Sequence, residues 1–124
     1  MLNYDPKKPP DPKEWLDLDE GERTDLICDY HDAVGEELPN PQLHAALHCI
    51  VENQIAMGEE VPSRTLRRLV KEGLDRHEAI HAVASVLADQ MYQTMSKASP
   101  GTDMNERYKE KLESLTAEKW GESA

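Results

Sequence analysis

The stretch LDRHEAIHAVASVLADQMYQTM, residues 74–95, decides how this chain is read. Asp75 has a short oxygen-bearing side chain suited to cap a helix N-terminus. Glu78, three residues on, closes a capping box. No glycine or proline interrupts the run that follows. At about 100° per residue, His77, His81, Ala84, Ala88, Met91 and Met95 fall in one narrow band, with Ile80 and Leu87 beside it. The spacing predicts a helix over 76–95 whose apolar face carries two histidines one turn apart. Ala84 and Ala88 continue that line and permit a second helix to approach closely.

A matching helix is expected upstream. Asn40-Pro41 supplies a cap and then a proline at the first helical position, and the helix would run from Pro41 to Met57 and stop at Gly58. Leu43, Leu47, Ile50, Gln54 and Met57 form the centre of its face. His44 and His48 flank that centre, interleaved with Val51 and Ile55, and Glu52 lies just beyond His48. Four of the five histidines in the chain therefore form two i, i+4 pairs.

The remaining segments also read as helical. Residues 1–12 hold four prolines and form an extended arm, lying on the surface or loose. Asp11-Pro12-Lys13-Glu14 starts a short turn whose Trp15 would anchor that arm. Asp19 and Glu22 form a capping box opening a helix from Glu20 to Gly35, with Leu26, Ile27, Tyr30, Ala33 and Val34 as its stripe and His31 at the edge of it, where it reads most simply as a surface or edge histidine but could add a ligand. Glu59–Pro62 reads as a turn before a helix Ser63–Glu72, which Gly73 ends. After the Ser96–Thr102 loop, Asp103 caps a last helix, Met104–Glu118. Met104, Tyr108, Leu112 and Leu115 form its thin stripe, and Trp120 tucks back. No β-alternation or internal repeat is visible. The expected architecture is all-α: an antiparallel bundle of about four main helices with short extra helices, a single domain over 13–120, and a frayed tail at 121–124.

Composition narrows the function classes. The 124 residues carry 25 acidic against 14 basic side chains, a net charge of −11. That field repels nucleic acid and anionic lipid. The one basic cluster, Arg64, Arg67, Arg68 and Lys71, lacks the interleaved aromatics that stack bases. No run approaches the length of a membrane span. No apolar leader follows the N-terminus, and Cys28 and Cys49 read as free thiols of a reducing compartment, so a cytoplasmic location is expected. Phe is absent, so the core must come from Leu, Ile, Val, Ala and Met.

The chemistry rests on the histidines. An i, i+4 pair puts two imidazoles on one helix face, close enough to share an ion. Two such pairs on facing helices supply up to four nitrogens. The expected ligands are His44, His48, His77 and His81, with Glu52 adding a carboxylate. A nitrogen set suits zinc, and a mixed set with open positions suits iron or manganese. His77-Glu-Ala-Ile-His81 also matches the H-E-x-x-H metalloprotease pattern, where the Glu is the general base. Here Glu78 already has a capping role, and on the wheel it turns about 100° from His77 toward a polar side. The rival reading is a metal-free adaptor or homo-oligomer in which the Met104–Leu115 stripe meets a partner.

The pattern N-P-x-L-H-x3-H over Asn40–His48, followed by H-E-A-x-H over His77–His81, resembles families of small bacterial helical proteins known as domains of unknown function. That resemblance spans about Pro39–Leu87. It implies an all-helical cytoplasmic protein and brings no activity with it. More loosely, His48-x-x-x-Glu52 and His77-x-x-x-His81 are similar to ligand pairs of hemerythrin-like di-iron bundles, although the last helix here has no histidine. DinB-like bundles, which hold a metal on three histidines, are longer.

Overall fold

A computed structural model describes residues 4–33, 40–97 and 104–123. Among the described residues there are seven helices and no strand, in the order α1 (Pro12–Asp17), α2 (Glu20–Ala33), α3 (Pro41–Ala56), α4 (Glu60–Lys71), α5 (Arg76–Lys97), α6 (Met104–Ser114) and α7 (Ala117–Ser123). The all-α bundle is as the sequence implies. Gly35 and Asp103, expected to end α2 and cap α6, lie outside the described residues, as do the side chains of Met95 and Met104.

The caps act where short polar side chains stand. Asp19 Oδ1 accepts from the Glu22 amide at 2.8 Å while Glu22 Oε1 accepts from the Asp19 amide at 3.3 Å, a reciprocal capping box. Asn40 takes the Leu43 amide at 3.1 Å and Asp75 the Glu78 amide at 2.8 Å. Each capped amide is one of the donors a helix start leaves without an internal partner. At the other end, Gly58 (φ +75°) and Gly73 (φ +115°) turn the chain. Gly73 N–H donates to Val70 O and Leu74 N–H to Leu69 O, while Gly58 and Glu59 repeat the pattern on Ile55 and Gln54. These are two Schellman caps, and they need a residue free of Cβ strain.

Two boundaries differ from expectation. Helix α4 begins at Glu60 rather than Ser63. Pro62 sits in its first turn, where the missing N–H would have had no helical partner. The last helix breaks at Leu115-Thr116 and resumes as α7, which runs into the segment assigned to a frayed tail. Glu72 Oε1 takes the amide of Ala117 at 2.8 Å, and so anchors the start of α7.

Helix α5 is the centre of the packing. Ala79, Ile80, Ala82, Val83, Ala84 and Leu87 are all buried, so its first half is enclosed on nearly every side. It packs against α3, α4 and α6, and α2 and α1 lie on α3. The main core joins Val51, Leu66, Leu69, the α5 residues, Tyr108 and Leu112. A second, smaller core joins Tyr4, Trp15, Ile27, Ala45 and Cys49. Trp15 is fully buried and donates from Nε1 to Asn53 at 2.9 Å, and Tyr4 of the arm stacks near it at 5.4 Å. The arm is therefore seated on the bundle through Tyr4 and the buried Pro6.

Helix α3 is rotated from the face its apolar residues imply. Leu43 is 54% and Met57 59% exposed, whereas Ala45, His48, Cys49, Val51 and Glu52 are buried. The cause is that α3 lies between α1 and α2 on one side and α5 on the other, so its polar flank becomes interior. Tyr108 and Leu112 of α6 are buried in the chain's own core. Two residues of the stripe that the adaptor reading offered to a partner are thus occupied internally.

Candidate metal centre

Helices α2, α3 and α5 bring all five histidines into one cluster. Ring centroids lie 4.5 Å apart for His44–His81, 4.2 Å for His77–His81, 5.7 Å for His48–His77 and 4.8 Å for His31–His44. The 44/48 pair and the 77/81 pair face each other across the α3–α5 contact. One nitrogen from each of His31, His44, His48 and His81 lies within 4.8 Å of the other three, a set that could hold a metal ion. Nitrogens sharing a tetrahedral zinc at 2.0–2.1 Å stand about 3.3 Å apart. His44 Nε2 and His81 Nε2, at 3.0 Å, are already at that separation.

His31, which the sequence left open as a further ligand or a surface or edge histidine, is 4% exposed and belongs to the four-nitrogen set. The stripe on α2 misleads because the helix buries only a narrow line against α3, along Ile27 and His31. The i, i+4 step from Ile27 to His31 was the available signal. Of the other expected ligands, His77 stacks on His48 within the cluster but is not in the set. Glu52 is also outside it. Glu78, the would-be general base, is exposed at the start of α5.

Glu52 has a different task. It is 1% exposed, and its two oxygens each take an Arg76 guanidinium nitrogen at 2.8 Å. Such a forked pair is the geometry that best offsets burial of two charges. Tyr4 donates its hydroxyl proton to Glu52 Oε2. Burial first, and then the charge and hydrogen bond of Glu52, raise the Tyr4 pKa far above the usual phenol range, so the hydroxyl stays protonated. For Arg76 burial opposes the charge, but the bond and charge of Glu52 outweigh it and hold its pKa above the ordinary value. Neither Tyr4 nor Arg76 was singled out from sequence. Tyr4 reaches the site through chain folding over 44 positions, which no local pattern encodes.

These bonds fix which nitrogen of two rings carries the proton. Tyr4 has one hydrogen, spent on Glu52, so its oxygen accepts from His48 Nε2 at 2.7 Å. His48 then bears its proton on Nε2 and a lone pair on Nδ1, which is buried with no hydrogen-bond partner among the described residues. His31 Nδ1 lies 2.8 Å from the carbonyl of Ile27, an acceptor only, so Nδ1 is protonated and Nε2 carries the lone pair. A ring anchored through one nitrogen and offering the other is the usual arrangement of metal-bound histidine.

The cluster resists protonation. Burial, then the imidazoles of His77, His44 and His31, push the His81 pKa down to about 3. Burial, then His81, His31, His77 and His44, hold His48 well below the ordinary value. Neutral imidazole is the form that binds metals. A cavity of about 220 Å³ opens on His44, His48 and His81, walled by Leu47, Ala84, Ala88 and Trp120. It gives an ion or water a way in from solvent.

The described helices include none long and apolar enough to cross a membrane. A family profile described as "Domain of unknown function (DUF1841)" matches residues 11–113. No curated protein and no solved structure matches the chain.

Proposed function

Because the chain belongs to the DUF1841 family, whose description assigns no activity, the reading must come from the site, and we propose that the protein is a metal-binding helical bundle with a four-histidine centre. The ligands are His31 Nε2, His44 Nε2, His48 Nδ1 and His81 Nε2. The observation that carries this reading is the pair of anchored rings. His31 and His48 are each held through one nitrogen by an acceptor outside the cluster, which turns the other lone pair over to it. Zinc fits an all-imidazole tetrahedral set best. Iron or manganese would want a carboxylate, and Glu52 is committed to Arg76 and Tyr4. Four protein ligands close a zinc site, so the ion's role is structural, tying α2 to α3 and α5.

The test is metal analysis of protein purified without a histidine tag. The expected result is close to one zinc per chain, with a melting temperature that falls when a chelator removes it, since a ligand bound only by the folded state stabilises that state. A His31→Ala, His81→Ala double variant should lose both the metal and the chelator response. An empty protein that does not take up zinc, with unchanged melting in chelator, would overturn the reading.

A further inference from the structure

A second cavity lies toward the C-terminal end of α3 and shares no lining residue with the histidine pocket, although Arg76, the partner of Glu52, borders it. It is a groove of about 820 Å³ between the arm, α3, α4 and the start of α5, within the range of about 300–1,000 Å³ typical of ligand pockets. Its floor is aliphatic, formed by Ile55, Leu66 and Val70, and Val70 is left 44% exposed there. Its walls bring Lys7, Arg67, Lys71 and Arg76 together from three separate elements.

The cations of α4 are divided by role. Arg64 is held by Glu60 at 3.0 Å and Glu113 at 3.2 Å. Arg68 is held by Glu72 at 3.1 Å and by the carbonyls of Leu112 and Leu115. These two face α6 and fasten it. Arg67 and Lys71, one turn apart, face the groove, and neither forms an ion pair with a carboxylate among the described residues. Like charges at i, i+4 disfavour a helix slightly, and an anion between them reverses that cost. Glu60, the one carboxylate in the lining, is occupied by Arg64. The groove is thus a concentrated positive patch on a chain of net charge −11. Its lining includes no aromatic residue, so it offers no stacking platform for a nucleobase.

We propose that this groove binds an amphipathic anion: an aliphatic chain lying on Ile55, Leu66 and Val70, with a carboxylate or phosphate head between Lys7, Arg67 and Lys71. The flat, forked guanidinium of Arg67 suits either head group. The site does not depend on the histidine centre, so it stands or falls separately.

Calorimetric titration of the full chain, with and without zinc, tests it using decanoate, decyl phosphate, decanol and inorganic phosphate below any micelle concentration. Decanoate or decyl phosphate should bind at one per chain, at least tenfold tighter than decanol or inorganic phosphate, and their order identifies the head group. Raising salt should weaken binding several-fold. An R67E/K71E variant should lose at least tenfold in affinity. Both positions are exposed, so the variant should keep its helical circular dichroism; a K71Q variant, expected to lose about threefold, covers the case where it does not. Decanol binding as tightly as the anions, inorganic phosphate binding as tightly as decyl phosphate, or affinity unchanged in the charge variants would overturn the proposal.

Discussion

The hydroxyl of Tyr4 links a buried ion pair to a buried imidazole, and most of what is unusual about the site passes through it. Removing it in Tyr4→Phe leaves the ring packing against Trp15 in place but deprives Glu52 of a donor and His48 Nε2–H of its acceptor. An orphaned buried polar group costs about 1–3 kcal/mol, so denaturant unfolding should show a loss in that range. Without its anchor the His48 ring is free to flip or change tautomer, and zinc affinity should fall about 10–100-fold. Equal affinity in a competition titration would show that Tyr4 is merely packed. Arg76→Leu is harsher, because it strands the Glu52 carboxylate at 1% exposure; a loss of about 3–5 kcal/mol is expected by the same measurement. The site was half legible beforehand. His44, His48 and His81 announce themselves by helical spacing, since i, i+4 is a local property. Tyr4 and Arg76 do not, and His31 stays open between ligand and edge residue, because what brings them in is the packing of α2, the arm and the start of α5 onto α3. The wheel places Glu52 beside the histidines, but a wheel locates a carboxylate without showing that Arg76 will meet it.

Elements were most legible where a single residue type has one physical use. Asp19, Asn40 and Asp75 cap helices because short oxygen-bearing side chains reach back to free amides, and Gly58 and Gly73 end them because positive φ is open to glycine. Pro62 misled for the complementary reason: proline reads as a break, but within a first turn it breaks nothing. The split between α6 and α7 depends on Glu72, just past the end of α4, taking the Ala117 amide, a contact across 45 positions that no window contains. At this scale Gly73→Ala is informative. An added Cβ meets nothing within 4 Å, so its cost is the strained backbone alone at φ +115°. A loss of about 1–2 kcal/mol is expected, read as a lower urea midpoint with unchanged slope. A neutral result would mean that the α4–α5 turn relaxes, and the Leu74 contact with the core would relax with it.

Across the whole molecule, five imidazoles in one interior and a strongly acidic surface respond to pH in opposite senses. Acidification toward the isoelectric point near 4.8 relieves repulsion among the surface carboxylates and favours the compact chain. The cluster works the other way. In the unfolded chain His81 takes a proton near the ordinary value of 6.5, whereas in the folded, metal-free chain it does so only at about 3. Between those values the unfolded state binds the extra proton, so stability falls as pH drops from about 6.5 toward 3, and above 6.5 this contribution has no slope. His48, lowered for the same reasons, adds to the fall. The two senses separate by comparison rather than in one curve. In chelator, native protein and a His81→Gln variant share the same surface, so the difference between their urea-derived stabilities isolates the ring. From pH 7 to pH 5 the native protein should lose roughly 1 kcal/mol more than the variant, once solvent screening of a half-buried group is allowed for. Parallel curves would mean that His81 titrates normally in the folded chain, and the interior would then be wetter and more open than its packing implies.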